Sequence, residues 1–402
     1  MTTQAVELFH SIPRYLTARA VGSKLPGLVS GPLAPLRFVN KSDPEPLGPG
    51  WGRVRPILSG ICGSDLATIA GHTSPYFTPL VSTPFVPGHE VVGELLDGLE
   101  DLPAGARVVL SPVLGCPARG VEPWCESCKD GAFGRCDRVT TGHVSAGLQT
   151  GYCKDTGGGW SRMFVAHRSQ LHPIPDDLPD RRAVLVEPLS CAVHAALRAR
   201  VEPNQDVLLI GAGSIGVLTL LALKELTQAG TITVAAKHGV QREWAERFGA
   251  TEVVPPEGTL NRIRRDTTAI KLCPEMGRPF LLGGVDVAID CVGSKGSMDL
   301  ALRTTRAGGR VVLAGIPVQA PDLTPVWYRE LEIVGAYTGG IERVGTRERH
   351  AFEIAIELAR ANPLEGIVGA VYPLRRWREA IDHAMSAGKL GTLKVAFDPR
   401  LD

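Results

Sequence analysis

The sequence predicts an α/β protein in which a doubly wound parallel-sheet domain is joined to a second, mainly-β domain. Three observations carry that reading. From about Arg181 onward, strand-like apolar runs alternate with helix-like segments, the signature of consecutive βαβ units. A G-x-G-x-x-G stretch stands at the first strand-to-helix turn of that series. Residues 1–185 are instead rich in Gly, Pro and short Val/Leu runs such as Arg107 to Leu110, which read as strands between turns.

In chain order, Ala183 to Arg200 is Ala/Leu-rich and reads as a helix ending before Pro203. Val207–Ile210 reads as a strand, Ile215–Gln228 as a helix, Thr231–Ala235 as a strand and Gln241–Phe248 as a helix. Val285–Asp290, Ser297–Thr305 and Arg310–Ala314 continue as strand, helix and strand. Thr346–Arg360 and Leu374–Ala387 look helical, and Thr392–Phe397 reads as a last strand. A length of 402 residues suits two or three domains at roughly 150 residues each.

Composition narrows the function classes. Hydrophobic residues at 44% and charged residues at 21% exclude wholesale disorder. A net charge of +1 argues against a nucleic-acid partner, which asks for a basic excess. Met1 to Arg19 lacks the basic-then-apolar pattern of a signal peptide. The longest uncharged apolar run, Val207 to Leu223, is interrupted by Gly211, Gly213 and Gly216, so a buried strand and helix explain it better than a membrane span. The expectation is a cytoplasmic protein with no membrane partner, whose nine cysteines serve as metal ligands or core residues rather than disulfides.

The glycine motif carries the first chemical signal. In V-L-L-I-G-A-G-S-I-G, residues 207–216, Gly211 permits the tight turn and Gly213 lets the backbone approach a pyrophosphate. Gly216 lets the helix pack closely on the strand, and Ser214 and Ile215 open that helix at the phosphates. About 20 positions on, an NAD-binding fold presents an acidic residue to the ribose hydroxyl. Here Ala236 stands at that point, followed by Lys237, His238 and Arg242. Loss of the carboxylate and the nearby cations favour a 2′-phosphate, so the cofactor is expected to be NADP rather than NAD.

Cysteine spacing carries the second. Cys125, Cys128 and Cys136 form C-x2-C-x7-C, three thiolates of a tetrahedral zinc site that needs a fourth ligand. Cys116, nine residues upstream, is the first candidate, and Glu122 the alternative. A closed four-ligand site is structural, with no open position for chemistry. A dispersed set follows: G-I-C-G-S-D with Cys62, Ser64 and Asp65; P-G-H-E with His89 and Glu90; E-P-L-S with Glu187.

Together, in this order, these motifs resemble the zinc-dependent medium-chain dehydrogenase/reductase family, the alcohol dehydrogenase superfamily. The E-P-L-S variant is most similar to its sorbitol, threonine and glucose dehydrogenase branches. The resemblance covers nearly the whole chain and implies a GroES-like catalytic domain in two segments, 1–189 and 337–402, around a Rossmann domain at 190–336. It further implies two zinc ions, one held by Cys62, His89 and Glu187 and one structural, in a homodimer or homotetramer. Glu90 would stand behind the catalytic zinc or serve as an alternate ligand, Asp65 would orient His89, and Ser64 would begin a proton relay. The implied reaction moves hydride between a small alcohol, such as a polyol, sugar or secondary alcohol, and NAD(P), giving the ketone or aldehyde. Residues near Ser64, His72 to Phe77 and Trp160 are expected to line the substrate pocket.

Two features depart from the family. Five residues after Cys62, where liver-type enzymes carry a relay histidine, stands Ala67, which leaves His72 as a guess for the proton exit. The first gap of the cysteine lobe also differs, because Glu122 stands where a cysteine is usual. Two rival readings remain: a zinc-free quinone or enoyl reductase of the same fold, and a non-catalytic zinc-binding module. Cys153, Cys191, Cys273 and Cys291 are left as buried thiols by default.

Overall fold

The computed structural model describes residues 2–21, 31, 34–99, 101–316 and 321–401. The chain divides into two compact units, Met1–Glu187 with Phe352–Asp402, and Pro188–Ala351. The resemblance puts the chain's return to the catalytic domain at 337, and the second compact unit runs on to Ala351. Residues expected to open a helix at Thr346 form an antiparallel hairpin, Ile341–Val344 with Arg347–His350. Gly345 supplies the positive φ of 62° at its turn, and the helix begins only at Ala351.

In the first unit a seven-stranded sheet runs 368–372, 394–397, 51–60, 91–95, 107–110 and 171–173, with 164–167 also pairing to 51–60. Strand Lys394–Phe397 pairs with Trp51–Gly60 at Ala396↔Gly60, so the end of the chain completes the sheet begun by its first third. Its central strands are buried along most of their length, eight of ten residues in Trp51–Gly60 and all four in Lys394–Phe397. A separate ribbon pairs Thr2–Leu8 with Leu36–Ser42 in antiparallel register; sequence patterning had not singled it out.

The second unit holds a six-stranded parallel sheet in the order 252–254, 232–235, 207–210, 285–290, 305–313 and 332–335. Ranked along the chain this is third, second, first, fourth, fifth, sixth, the order of a dinucleotide-binding fold. All four residues of Val207–Ile210 are buried, as a central parallel strand requires. Every residue from Gly216 to Leu223 of the following helix, Ser214–Leu226, is buried as well. That accounts for the long apolar run without a membrane: among the described residues no helix is long and apolar enough to cross one.

Candidate active site and metal centres

The dinucleotide loop follows from three glycines with three different constraints. Gly211 has φ +89°, and a Cβ there would lie 2.3 Å from Val292 Cγ2. A Cβ on Gly216 would lie 1.9 Å from the Gly211 carbonyl oxygen. Gly213 meets nothing within 4 Å, so its missing side chain leaves room for something outside the fold. Ser214 and Ile215 open the helix directly behind it. Ala236 is buried, donating its N–H to Val254 O. The Gln241 side chain accepts from the backbone N–H groups of Lys237 and His238, and Arg242 Nε donates to Ala236 O at 3.4 Å. Lys237 and Arg242 are exposed at this strand end, with no carboxylate paired to either among the described salt bridges.

Sequence reasoning missed Asp290. Its buried carboxylate accepts from the N–H of Val292 at 2.9 Å and of Gly293 at 3.1 Å, and from Ser297 Oγ at 3.0 Å. Burial pushes its pKa up, against the pull of those donors. It fixes the loop that packs Val292 on Gly211. The D-x-x-G at the end of a buried strand was the available signal.

In the first unit, Cys62 caps the short helix Gly63–Ile69 and donates its N–H to Asp65 Oδ2 at 3.0 Å. His89 sits just ahead of strand Val91–Leu95. The preceding Gly88 has φ +99°, and a Cβ there would lie 2.5 Å from Trp160 Cδ1, so P-G-H-E needs its glycine. One ligand atom each from Cys62, His89 and Glu90 falls within 4.8 Å of the others. Asp65 Oδ1 lies 3.5 Å from His89 Nδ1, which leaves Nε2 as the ring nitrogen facing away from that carboxylate. Burial works against a charged His89, but Asp65 and Cys62 outweigh it and hold the pKa well above the usual histidine value.

Glu187 is not in that group. It is buried at the first turn of helix Val186–Arg198, and its charge bears on Lys394. The structure thus brings Glu90, rather than Glu187, beside Cys62 and His89. Glu90 is also spoken for: Lys394 Nζ donates to its Oε1 at 2.6 Å and lies 2.5 Å from Oε2. A Cβ on Gly60 would lie 2.0 Å from Glu90 Oε2, so G-I-C-G owes its first glycine to this carboxylate. Burial opposes a charged Lys394, while Glu90, Cys62 and Glu187 hold its pKa up. Lys394 went unnoticed in the sequence.

Ser64 lies partly exposed on the first turn of the Cys62 helix. Tyr152 donates to Asp65 Oδ1 at 3.3 Å, and its ring tilts against His89 with centroids 5.9 Å apart. Burial, then Asp65, hold its pKa well above the usual phenol value. His72 is exposed. Trp160 is wholly buried in the hydrophobic core, donating Nε1–H to Gly60 O, and so serves as packing rather than as pocket wall.

Cys116, Cys125, Cys128 and Cys136 form a second group with all four sulfurs within 4.8 Å. Glu122 is not part of it. Cys136 Sγ is 3.7 Å from Cys116 Sγ and 4.0 Å from Cys125 Sγ. A tetrahedron with metal–sulfur bonds of about 2.3 Å has edges of about 3.8 Å, so the cluster matches zinc and not a disulfide; all nine cysteines are free. Backbone N–H groups of Cys125, Cys116 and Arg138 point at the sulfurs of Cys116, Cys128 and Cys136. Against the effect of burial, donors at the Cys125 sulfur bring its pKa down to about 7, whereas burial pushes Cys136 up to about 11. Arg119 staples the lobe: wholly buried, it donates to the carbonyls of Leu114, Thr141, Val144, Ser145 and Gly147. Of the remaining cysteines Cys153 is buried, Cys191 and Cys291 are partly buried, and Cys273 is exposed, contrary to the default expectation for it.

Comparison with known proteins gives a consistent picture. Residues 48–176 match the alcohol dehydrogenase GroES-like domain, and residues 214–360 match the zinc-binding dehydrogenase domain. The chain is 31% identical to sorbitol dehydrogenase of Arabidopsis thaliana over 301 residues, 72% of this chain and 74% of the relative. It is 29% identical to L-idonate 5-dehydrogenase of Vitis vinifera over 324 residues, 79% of each. A zinc-binding dehydrogenase from Sinorhizobium meliloti 1021, solved bound to NADP, superposes with a TM-score of 0.73 at 23% identity, covering 99% of this chain and 100% of that one. At that identity the last likeness is one of fold.

Proposed function

The chain belongs to the zinc-binding alcohol dehydrogenase family, and from that premise we propose that it is a zinc- and nicotinamide-dependent dehydrogenase of a polyol, sugar or secondary alcohol. The observation that carries the reading is the Cys62–His89–Glu90 group, its imidazole and carboxylate buried, in a chain that also holds an open Gly213 loop. A sulfur, an imidazole and a carboxylate suit zinc. Cys62 and His89 would hold the catalytic ion with Glu90, the alternate carboxylate that the structure brings beside them while Lys394 balances its charge. The four lobe cysteines would hold the structural one. A bound zinc supplies Lewis acidity toward the substrate oxygen.

The chain's own residues do the rest. Asp65, its carboxylate 3.5 Å from Nδ1, would orient His89 toward the ion. Ser64 receives the proton of the substrate hydroxyl. Gly211, Gly213, Ser214, Ile215 and Gly216 seat the dinucleotide, and Lys237 and Arg242 favour the 2′-phosphate of NADP over NAD. We read the substrate as a polyol or sugar-derived alcohol because the relatives named above act on sorbitol and L-idonate. The protein is read as a cytoplasmic homodimer or homotetramer; its nine free thiols accord with a reducing compartment.

Metal analysis together with an absorbance screen of polyols against NAD(H) and NADP(H) tests the reading. About two zinc per chain and a polyol-dependent rise in reduced nicotinamide are expected. Cys62→Ala and His89→Ala should abolish turnover while dinucleotide binding survives. A zinc-free protein that still reduces quinones supports the first rival, and failure to bind either dinucleotide supports the second.

A further inference from the structure

Two strand ends meet where the parallel sheet of the second unit changes direction. From 207–210 the chain builds outward to one side, through 232–235 and 252–254, and then returns to the other side at 285–290. In such sheets the crevice outside the carboxyl ends of the two middle strands receives the ligand. Ile210 and Asp290 are register partners there, so Gly211 and Cys291 begin two adjacent loops. Cys291 N–H donates to Ile210 O at 3.0 Å. Val292 is half exposed, yet a Cβ on Gly211 would lie 2.3 Å from its Cγ2. An apolar side chain thus rests on the backbone of the dinucleotide loop with part of its surface open. Gly213, where the pyrophosphate approaches, is two residues on, at most about 7 Å along the chain.

Asp290 decides where Val292 lies. Its Oδ1 accepts the N–H groups of Val292 at 2.9 Å and Gly293 at 3.1 Å, and its Oδ2 accepts the Ser297 hydroxyl at 3.0 Å. Its carbonyl oxygen accepts from Ala314 at 3.0 Å and Gly315 at 2.8 Å. One residue therefore joins the loop after strand 285–290, the loop after strand 305–313 and the first turn of helix Lys295–Thr304. Gly293 makes the turn with φ +76°, and a Cβ there would lie 2.2 Å from Ile316 O. The helix does not need Asp290 as a cap, because Ser294 already accepts from Ser297 N–H at 3.1 Å. What Asp290 adds is the placement of Val292.

We propose that Val292 contacts the bound dinucleotide, covering the carbon side of the ribose next to the pyrophosphate, and that Asp290 is the positioning residue for this contact. The inference rests on the dinucleotide assignment above. A ribose carries hydroxyls on one side and C–H bonds on the other, and the isopropyl group of Val292 offers no polar atom, so it suits the second. Packing there removes apolar area from water. A loop fixed beforehand spares the dinucleotide the cost of ordering it. Asparagine at position 290 would preserve the arrangement. Its Oδ1 can accept the same two N–H groups, and its amide can donate to Ser297 Oγ, whose hydrogen rotates to Ser294 O, 2.9 Å away.

Fluorescence titration of the zinc-loaded protein with NADPH and with NADH tests the inference, beside thermal melts of each variant. Val292→Ala should weaken binding about three- to tenfold with an unchanged melting temperature, and the dinucleotide KM should rise in the same proportion. Asp290→Ala should weaken binding about tenfold or more. Asp290→Asn should restore it to within about twofold of wild type. Adding Val292→Ala to Asp290→Ala should cost little further affinity, since both changes remove one contact. Should Asp290→Ala not fold, Asp290→Ser takes its place in these comparisons. A merely structural Asp290 would lower the melting temperature and leave affinity at wild type, which overturns its positioning role. Wild-type affinity in Val292→Ala overturns the contact, and full additivity in the double variant overturns the link between the two residues. A wild-type protein that binds neither dinucleotide overturns the assignment above, and this contact with it.

Discussion

Lys394 and Glu90, separated by 304 residues of chain, form an ion pair at 2.6 Å with exposures of 3% and 1%. A pair buried this deeply contributes little net stability, but removing one partner strands the other charge. Lys394→Met should therefore destabilise the first unit by about 3–5 kcal/mol. The double variant Lys394→Met/Glu90→Gln should recover part of that loss. Urea unfolding of both variants measures it; equal losses in the two would show that the charge is not the cause.

Two glycines of one motif should respond in opposite ways. Gly216→Ala puts a methyl group 1.9 Å from a carbonyl oxygen, so overpacking should cost about 1–3 kcal/mol or more. Gly213→Ala meets nothing within 4 Å and should leave the melting temperature unchanged while weakening dinucleotide binding at least tenfold. Calorimetry for stability and fluorescence titration for binding separate the two. A Gly213→Ala protein that binds the dinucleotide normally would contradict the pyrophosphate assignment.

The cysteine lobe should show ordered reactivity once a chelator has stripped it. The Cys125 pKa is down to about 7 and that of Cys136 up to about 11. The thiolate is the nucleophile, and its fraction rises with pH through the pKa. Alkylation by iodoacetamide should thus reach half its maximal rate at Cys125 near pH 7 and leave Cys136 nearly untouched there. Peptide mapping after brief exposure reads the order. Zinc should protect both.

Glu7 makes the N-terminal ribbon sensitive to acid. Its carboxylate accepts from Arg37 at 2.6 Å and from Lys41 at 2.5 Å. Burial alone would raise its pKa; the Lys41 and Arg37 cations outweigh burial and hold it below the usual value. A carboxyl depressed in the folded state stabilises while ionised. Its contribution is full above the unfolded value of about 4.3 and fades as the pH falls through the folded value. Glu7→Gln should cost on the order of 1 kcal/mol at pH 7, since both cations reach solvent. The gap to wild type should close in strong acid. Thermal melts at pH 7 and below pH 3 decide the point, and a constant gap would exclude the ion pair as its source.

Local patterns announced most of the fold and part of the site. Strand 207–210, the glycines after it and the alternation that follows reflect nearest-neighbour sterics and burial, which a sequence displays directly. Cys125 and Cys128 sit on one short turn, so their spacing is their geometry. Lys394, Tyr152 and Asp290 were silent because each acts through a partner brought near only by the completed fold. Glu90 and Glu187 are equally acidic on paper; the one beside Cys62, Glu90, is paired with a lysine hundreds of residues away. The hairpin at 341–350 was hidden because its charged residues suit a solvated helix and a solvated ribbon alike.

Strand Lys394–Phe397 pairs with a strand that begins at Trp51, and the whole dinucleotide unit lies between them in the chain. A ribosome delivers residues in order, and domains tend to fold as they emerge. Pro188–Ala351 is therefore complete and able to fold while Cys62 and His89 are still waiting for the lysine that offsets Glu90. The unit Pro188–Ala351 can thus mature ahead of the unit that carries Cys62 and His89, which closes only once strand Lys394–Phe397 has been made.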